Sequence, residues 1–180
     1  NGLFEALTRG ASEAEAFDIL EASAMAAIGQ FGDLNETVSL VNQVMRAYGD
    51  EVGSAIDVTD GLIAITQTGN AVFKDLVPAM GQVIGIAADA GVSFQDAGNA
   101  IASLAIVTGD AARAATGFRN IIQQARKRSD EFAAAGIDVN KTLSGPDGFL
   151  ILMEQVKDKV EDGDIALGDL FTNIRAVSGA

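Results

Sequence analysis

The chain has 180 residues, 48% of them hydrophobic but only 6% aromatic, and a formal net charge of −13. It contains no Cys, no His and no Trp, which excludes a disulfide framework, a thiolate nucleophile, a Cys/His zinc site and any mechanism with histidine as general base. The acidic balance favours solubility and opposes nucleic acid and anionic lipid, while Ala, Ile, Leu and Val in place of aromatics suit closely packed helices.

The chain starts at Asn1-Gly2 and stops at Ser178-Gly179-Ala180 with an apolar pattern still running. It reads as a single helical region, 1–180, internal to a longer protein. Ser12-Glu13-Ala14-Glu15 predicts a capping box. The helix after it places Phe17, Leu20, Ala24 and Ala27 or Ile28 on one face, and Gly29 and Gly32 close it. Asp33-Leu34-Asn35-Glu36 caps a second helix with Val38, Val41, Val44, Met45 and Tyr48 as its stripe and Gly49 as its end. A third runs from near Ser54 to Thr68 and stops at Gly69-Asn70. A fourth runs from Phe73 to Ala90; Pro78 inside it predicts a start near Val77 or a kink there.

Gly91 ends that helix and Ser93-Phe94-Gln95-Asp96 predicts the next capping box, opening a helix that Gly109 closes after Thr108. Small residues on both arms of this hairpin let them lie close. Asp110 caps the longest segment, with Phe118, Ile121, Ile122, Ala125 and Phe132 buried and Gly136 at its end. A loop follows from Ile137 to Pro146, with room for one short extended piece. Ser144-Gly145-Pro146-Asp147 starts a seventh helix through Leu150, Leu152, Met153 and Val156, and a last one carries Leu167, Leu170, Phe171, Ile174 and Val177. The fold class is therefore all-α: about eight short helices in αα-hairpins joined by Gly-closed turns.

An offset of about 39 residues aligns "ETVSLVNQVMRAYG" with "DLVPAMGQVIGIAA", within the range of helical-hairpin repeats. Val38, Val41 and Val44 meet Val77, Met80 and Val83, and Gln43 meets Gln82. Duplication and chance similarity of amphipathic helices account for this equally well.

Five patterns invite chemistry. In the stretch from Asp158, the residues Asp158, Asp162, Gly163 and Ile165 fall at calcium-loop positions, but Val160 stands where an oxygen ligand is needed and Asp169 where a Glu is. A solvated turn is the better account. Arg113, Arg119, Arg126, Lys127 and Arg128 form a basic stripe without interleaved aromatics, better read as an exposed helix face than as a phosphate contact. Glu15, Glu21 and Glu154 fall on polar faces rather than in an apolar pocket suited to carboxylate catalysis. Gly81 and Gly85 form a small-xxx-small pair, read as a tight helix contact. Asn35-Glu36-Thr37 and Asn140-Lys141-Thr142 match the glycosylation pattern, too short to carry weight. No residue is assigned a catalytic, cofactor or metal role.

The ordered set Asp60, Gly69, Leu76, Ala87, Gly91-Val92-Ser93, Leu104 and Gly109, continued by Thr116, Arg119, Gly136-Ile137 and Leu170-Phe171, resembles the shared helical core region of phage tail tape measure proteins. In that pattern Asp60 precedes a helix. The resemblance runs from Ala11 to the end, and the Arg126-Lys127-Arg128 cluster departs from it. It implies a structural, non-enzymatic segment of a virion tail protein that sets tail length during assembly and leaves through the tube at infection, without a cofactor. The implied partners are tail tube protein, tail assembly chaperones, baseplate or tail-tip proteins and further copies of itself. Specific nucleic acid is not among them; the host membrane comes within reach at infection. The implied location is the tail tube lumen, after the host cytoplasm during assembly. The alternatives are a membrane-active helical domain assisting genome delivery, or a peptidoglycan-cleaving module.

Overall fold

The computed structural model describes residues 12–163 except 31 and 70, together with Phe4, Leu7 and Thr8. Within these residues the chain is helical and contains no strand. Ten α-helices follow in order: α1 (Glu13–Gly29), α2 (Leu34–Tyr48), α3 (Ala55–Thr68), α4 (Phe73–Gly81), α5 (Ile84–Asp89), α6 (Phe94–Thr108), α7 (Ala111–Lys127), α8 (Ser129–Ala134), α9 (Val139–Leu143) and α10 (Gly148–Glu161), with a 3₁₀ turn at Gly49–Val52 after α2. The predicted last helix lies outside the described residues.

Side-chain caps set most starts. Ser12 with Glu15, and Ser54 with Asp57, form reciprocal capping boxes, while Asp33, Ser93, Asp110 and Asp138 each accept from a free N–H of the first turn. Each satisfies a donor that the helix geometry leaves without a partner. Buried threonines are satisfied locally: Thr37 donates to the Asp33 carbonyl at 2.7 Å and Thr66 to that of Ile63 at 2.7 Å.

The helix ends at Gly91 and Gly136 share one construction. The Gly91 N–H donates to the Ala88 carbonyl and the Val92 N–H to that of Ala87, at 3.0 and 2.9 Å. Gly136 and Ile137 repeat the pattern on Ala133 and Phe132, at 2.9 and 2.8 Å. Both glycines are left-handed, φ +77° and +82°, as this six-to-one closure requires.

The chain departs from the predicted elements in five places. The fourth segment neither starts near Val77 nor kinks at Pro78. Pro78 sits inside α4, and the break comes after Gly81, where Gln82 and Val83 donate three residues back, to Ala79 and Met80. Glycine weakens a helix interior, and the tightened turn brings Met80, Val83 and Ile84 all to the core. The sixth segment also splits, at Arg128, which lets Phe132 on α8 reach full burial. The predicted loop Ile137–Pro146 contains α9 instead. Ser144 accordingly ends a helix rather than starting one, its hydroxyl donating to the Asn140 carbonyl at 2.9 Å. α10 starts from Asp147, itself left-handed at φ +52°, with no side-chain cap bond. A Cβ on the next residue, Gly148, would stand 2.5 Å from two carbonyl oxygens of α9, so this corner is closed by backbone proximity.

The fifth departure is the face α1 buries. Ala16, Ile19, Ala22, Ala26 and Ala27 are buried, while Phe17 and Ile28 are 59% and 79% exposed and Leu20 and Ala24 lie between. α1 is apolar on both sides, so periodicity gave no unique face; the alanine side packs on α2 and α3. On α2 the expected stripe holds, with Val38, Val41, Val44 and Tyr48 buried and Met45 partly so. The five apolar residues predicted for the sixth segment are all buried. On α10, Leu152 and Val156 are buried as expected, but Leu150 faces water.

α1, α2 and α3 pack mutually, α4 contacts α2, α6 and α7, and α6 pairs most extensively with α7. α9 pairs with α10, which leans on α6. α5 does contact α6, but the closest use of small residues is between α3 and α6. A Cβ on Gly98 would run into the Ile65 side chain, one on Gly69 into Ala102, and one on Gly61 would stand 3.0 Å from the Phe94 ring. The rings of Phe118 on α7 and Phe149 on α10 meet at a tilt of 39° with centroids 4.8 Å apart. Buried residues from all ten helices join one apolar cluster.

Candidate functional site

Of the basic stripe on α7, Arg113, Arg126 and Lys127 are exposed, as an external helix face would be. Arg119 is different. It is half-buried, and its Nη2 donates to the Gln82 carbonyl at 3.3 Å. Gln82 follows the end of α4, where carbonyls lack helical partners and positive charge is favoured. Arg119 thus braces the break between α4 and α5, a role that only a contact 37 residues apart in sequence reveals.

Asp158 lies inside α10 and Asp162 is its C-cap. A calcium loop needs its first ligands on irregular backbone, so the helix removes that geometry; Asp164 and Asp169 fall outside the described residues. Among the described residues no group of three or more Asp and Glu side chains is placed to hold a metal ion. Glu15 and Glu21 are exposed on α1 and Glu154 on α10. Glu15 is engaged in its capping box, where hydrogen bonds from the Ser12 side chain and then the Ser12 backbone hold its carboxyl below the usual range. Asp57 is held down by Ser54 in the same way. Asn35 lies in the first turn of α2 and Asn140 in α9.

Gly81 and Gly85 do not make the tight contact read from their spacing. Only the Gln43 amide comes within 4.0 Å of a Cβ built on Gly81, and nothing comes that near one on Gly85. Gly85 borders a depression opposite α2 instead. The family-pattern residue Asp60 stands inside α3, exposed, rather than ahead of a helix.

Two corners and two grooves remain as features that could carry contacts. Tyr48, the one tyrosine of the chain, donates its hydroxyl to the Val92 carbonyl at 2.9 Å. Burial, aided by Glu51 and Asp96, pushes its pKa up, so it stays a neutral donor. A groove of about 490 Å³ lies where the α3–α4 turn meets the α6–α7 corner, lined by Ala71, Asp75, Pro78, Ala105 and Asp110 among others. Asp110 there is already the N-cap of α7, accepting from Arg113 at 2.7 Å. A second groove of about 500 Å³ runs between α6 and α10, lined by Ala100, Leu104, Val107, Phe149, Leu150 and Met153, with Asp96 and Asp147 alongside. Its chemistry is apolar contact, with two carboxylates to orient a cation. No described helix is long and apolar enough to cross a membrane.

These helices, with the Gly91-Val92-Ser93 and Gly136-Ile137 corners among them, fall within a match to the family model for phage-related minor tail protein, which covers residues 1–173. The chain belongs to this family. As a phage-related minor tail protein it is a component of the virion tail. No curated protein and no solved structure matches the chain.

Proposed function

We propose that this minor tail protein chain is a segment of a tape measure protein, acting by helix packing and length during tail assembly rather than through a reacting site. The observation that carries the reading is the family match over residues 1–173, joined to an ordered set of Gly-closed corners that resembles the tape measure core. In this reading the chain acts as one helical unit of a longer protein. Tail tube protein assembles around that protein in the presence of tail assembly chaperones, its ends meet baseplate or tail-tip proteins, copies of it associate, and it leaves through the tube at infection.

The folded-back helices give the proposal a quantitative form. A region lying as one continuous helix contributes about 1.5 Å per residue, so removing residues 12–163 in frame from the gene would shorten the tail by about 230 Å. A folded bundle contributes far less. Electron microscopy of particles carrying that deletion is expected to show failed assembly, or tails shortened by much less than the extended figure. Tails of unaltered length with unaltered infectivity would refute the role.

A further inference from the structure

The aligned segments α2 and α4–α5 differ at one point. α2 runs unbroken through Gln43, whereas the second copy breaks at Gln82, the residue that Gln43 meets in the alignment. The break leaves backbone donors over. α5 starts at Ile84, and Val83 ahead of it gives no side-chain cap bond, so the N–H groups of Ile84, Gly85 and Ile86 lack an intrahelical acceptor. In a continuous helix the Ile86 N–H would donate to the Gln82 carbonyl. Here Arg119 Nη2 donates to that carbonyl at 3.3 Å, while Arg119 Nε is buried without a hydrogen-bond partner, an arrangement that burial penalises.

We propose that the α4–α5 break is a conformational joint with Arg119 as its positioning residue. Arg119 turns the Gln82 carbonyl toward α7 and off the Ile86 N–H; on its release residues 73–89 close into one helix, about 25 Å long. The core does not oppose closure. Counted from Met80, Leu76 lies four residues back, Val83 and Ile84 three and four ahead, and Ala87 seven ahead, and all five are buried. That is the spacing of one continuous face, so the same side chains stay inside in both forms. The surroundings leave room as well: a Cβ on Gly85 would meet nothing within 4 Å, and a depression of about 270 Å³ lies beside it, opposite α2. The joint does not rest on the tape measure role.

Amide hydrogen exchange in the 180-residue chain separates a joint from a plain brace, because the two predict opposite signs. Arg119→Met removes the donor and keeps an apolar stem. Loss of a plain brace would speed exchange at Ile86. Closure of the joint gives the Ile86 N–H an acceptor, so Ile86 should exchange about tenfold more slowly than in the unaltered chain. Ala90, which already donates to the Ile86 carbonyl at 3.1 Å, should stay within about threefold of its own value. Unchanged or faster exchange at Ile86, or equal slowing at Ile86 and Ala90, would overturn the proposal. Gly85→Ala tests the joint with Arg119 in place. The added methyl favours helix and meets no neighbour. The Ile86 N–H has no acceptor within α5, so a firmer α5 alone cannot protect it, and slowing by about threefold at Ile86 is the expected result. No slowing there would overturn the joint, even where Arg119→Met fails to fold.

Discussion

The corners Gly91-Val92-Ser93 and Gly136-Ile137-Asp138 are made from the same hydrogen bonds and sit in different surroundings. Each ends a helix with a left-handed glycine, buries the apolar residue after it and starts the next helix with a side-chain cap. Around Gly136 a Cβ would meet nothing within 4 Å, whereas one on Gly91 would run into the Ser144 hydroxyl at the end of α9. Val92 also holds the Tyr48 hydroxyl. The first corner is a junction of three chain segments and the second is a local turn. The motif fixes the backbone, and the tertiary neighbours decide how much of the fold depends on it.

The largest expected effect separates the two glycines. Gly136→Ala carries the left-handed penalty alone, about 1–2 kcal/mol. Gly91→Ala adds the collision with Ser144 and should cost about 2–4 kcal/mol. Chemical denaturation of both variants measures the difference, and equal losses would mean that the junction adds nothing. Tyr48→Phe comes next. It leaves the Val92 carbonyl without its buried donor, for a loss of about 1–2 kcal/mol, visible as a lowered melting temperature with unchanged helical signal. Ser93→Ala and Asp138→Ala remove equivalent caps and should each cost about 1 kcal/mol. A large gap between those two would show that the corners differ in their caps as well as in their neighbours.

How much of this was legible in the sequence depended on contrast. α2 alternates apolar and polar residues at helical spacing, so its buried face could be read directly. α1 is apolar on both sides, and its alanine face is the one that packs against α2 and α3. Pro78 drew attention to the wrong residue, because the break it suggested falls at Gly81, where the tightened turn buries Val83 and Ile84. The apolar residues proposed as repeat partners are nonetheless buried in both copies, Val38, Val41 and Val44 on an unbroken helix and Val77, Met80 and Val83 on a broken one, while Gln43 is partly exposed and Gln82 exposed. α9 is five residues long, too short for periodicity to reveal. The Tyr48–Val92 bond, the Arg119 brace and the α6–α10 groove join residues far apart in sequence, and no local pattern encodes them.

The smallest effect concerns the capping boxes of α1 and α3. The folded-state pKa values of Glu15 and Asp57 are depressed by their serines. Their contribution is therefore present above the unfolded-state value and is lost as pH falls through the folded one. An NMR titration should find both carboxyls below the usual range. Ser12→Ala should raise the Glu15 value and leave that of Asp57 where it was; movement of both would place the cause outside the capping boxes.

The helices fold back on one another instead of lying as one rod. Small-angle X-ray scattering of the isolated 180-residue chain tests it most directly. A compact chain of this length has a radius of gyration of about 16 Å, and the account predicts a value close to that. A radius several times larger, with the scattering profile of a rod, would contradict it.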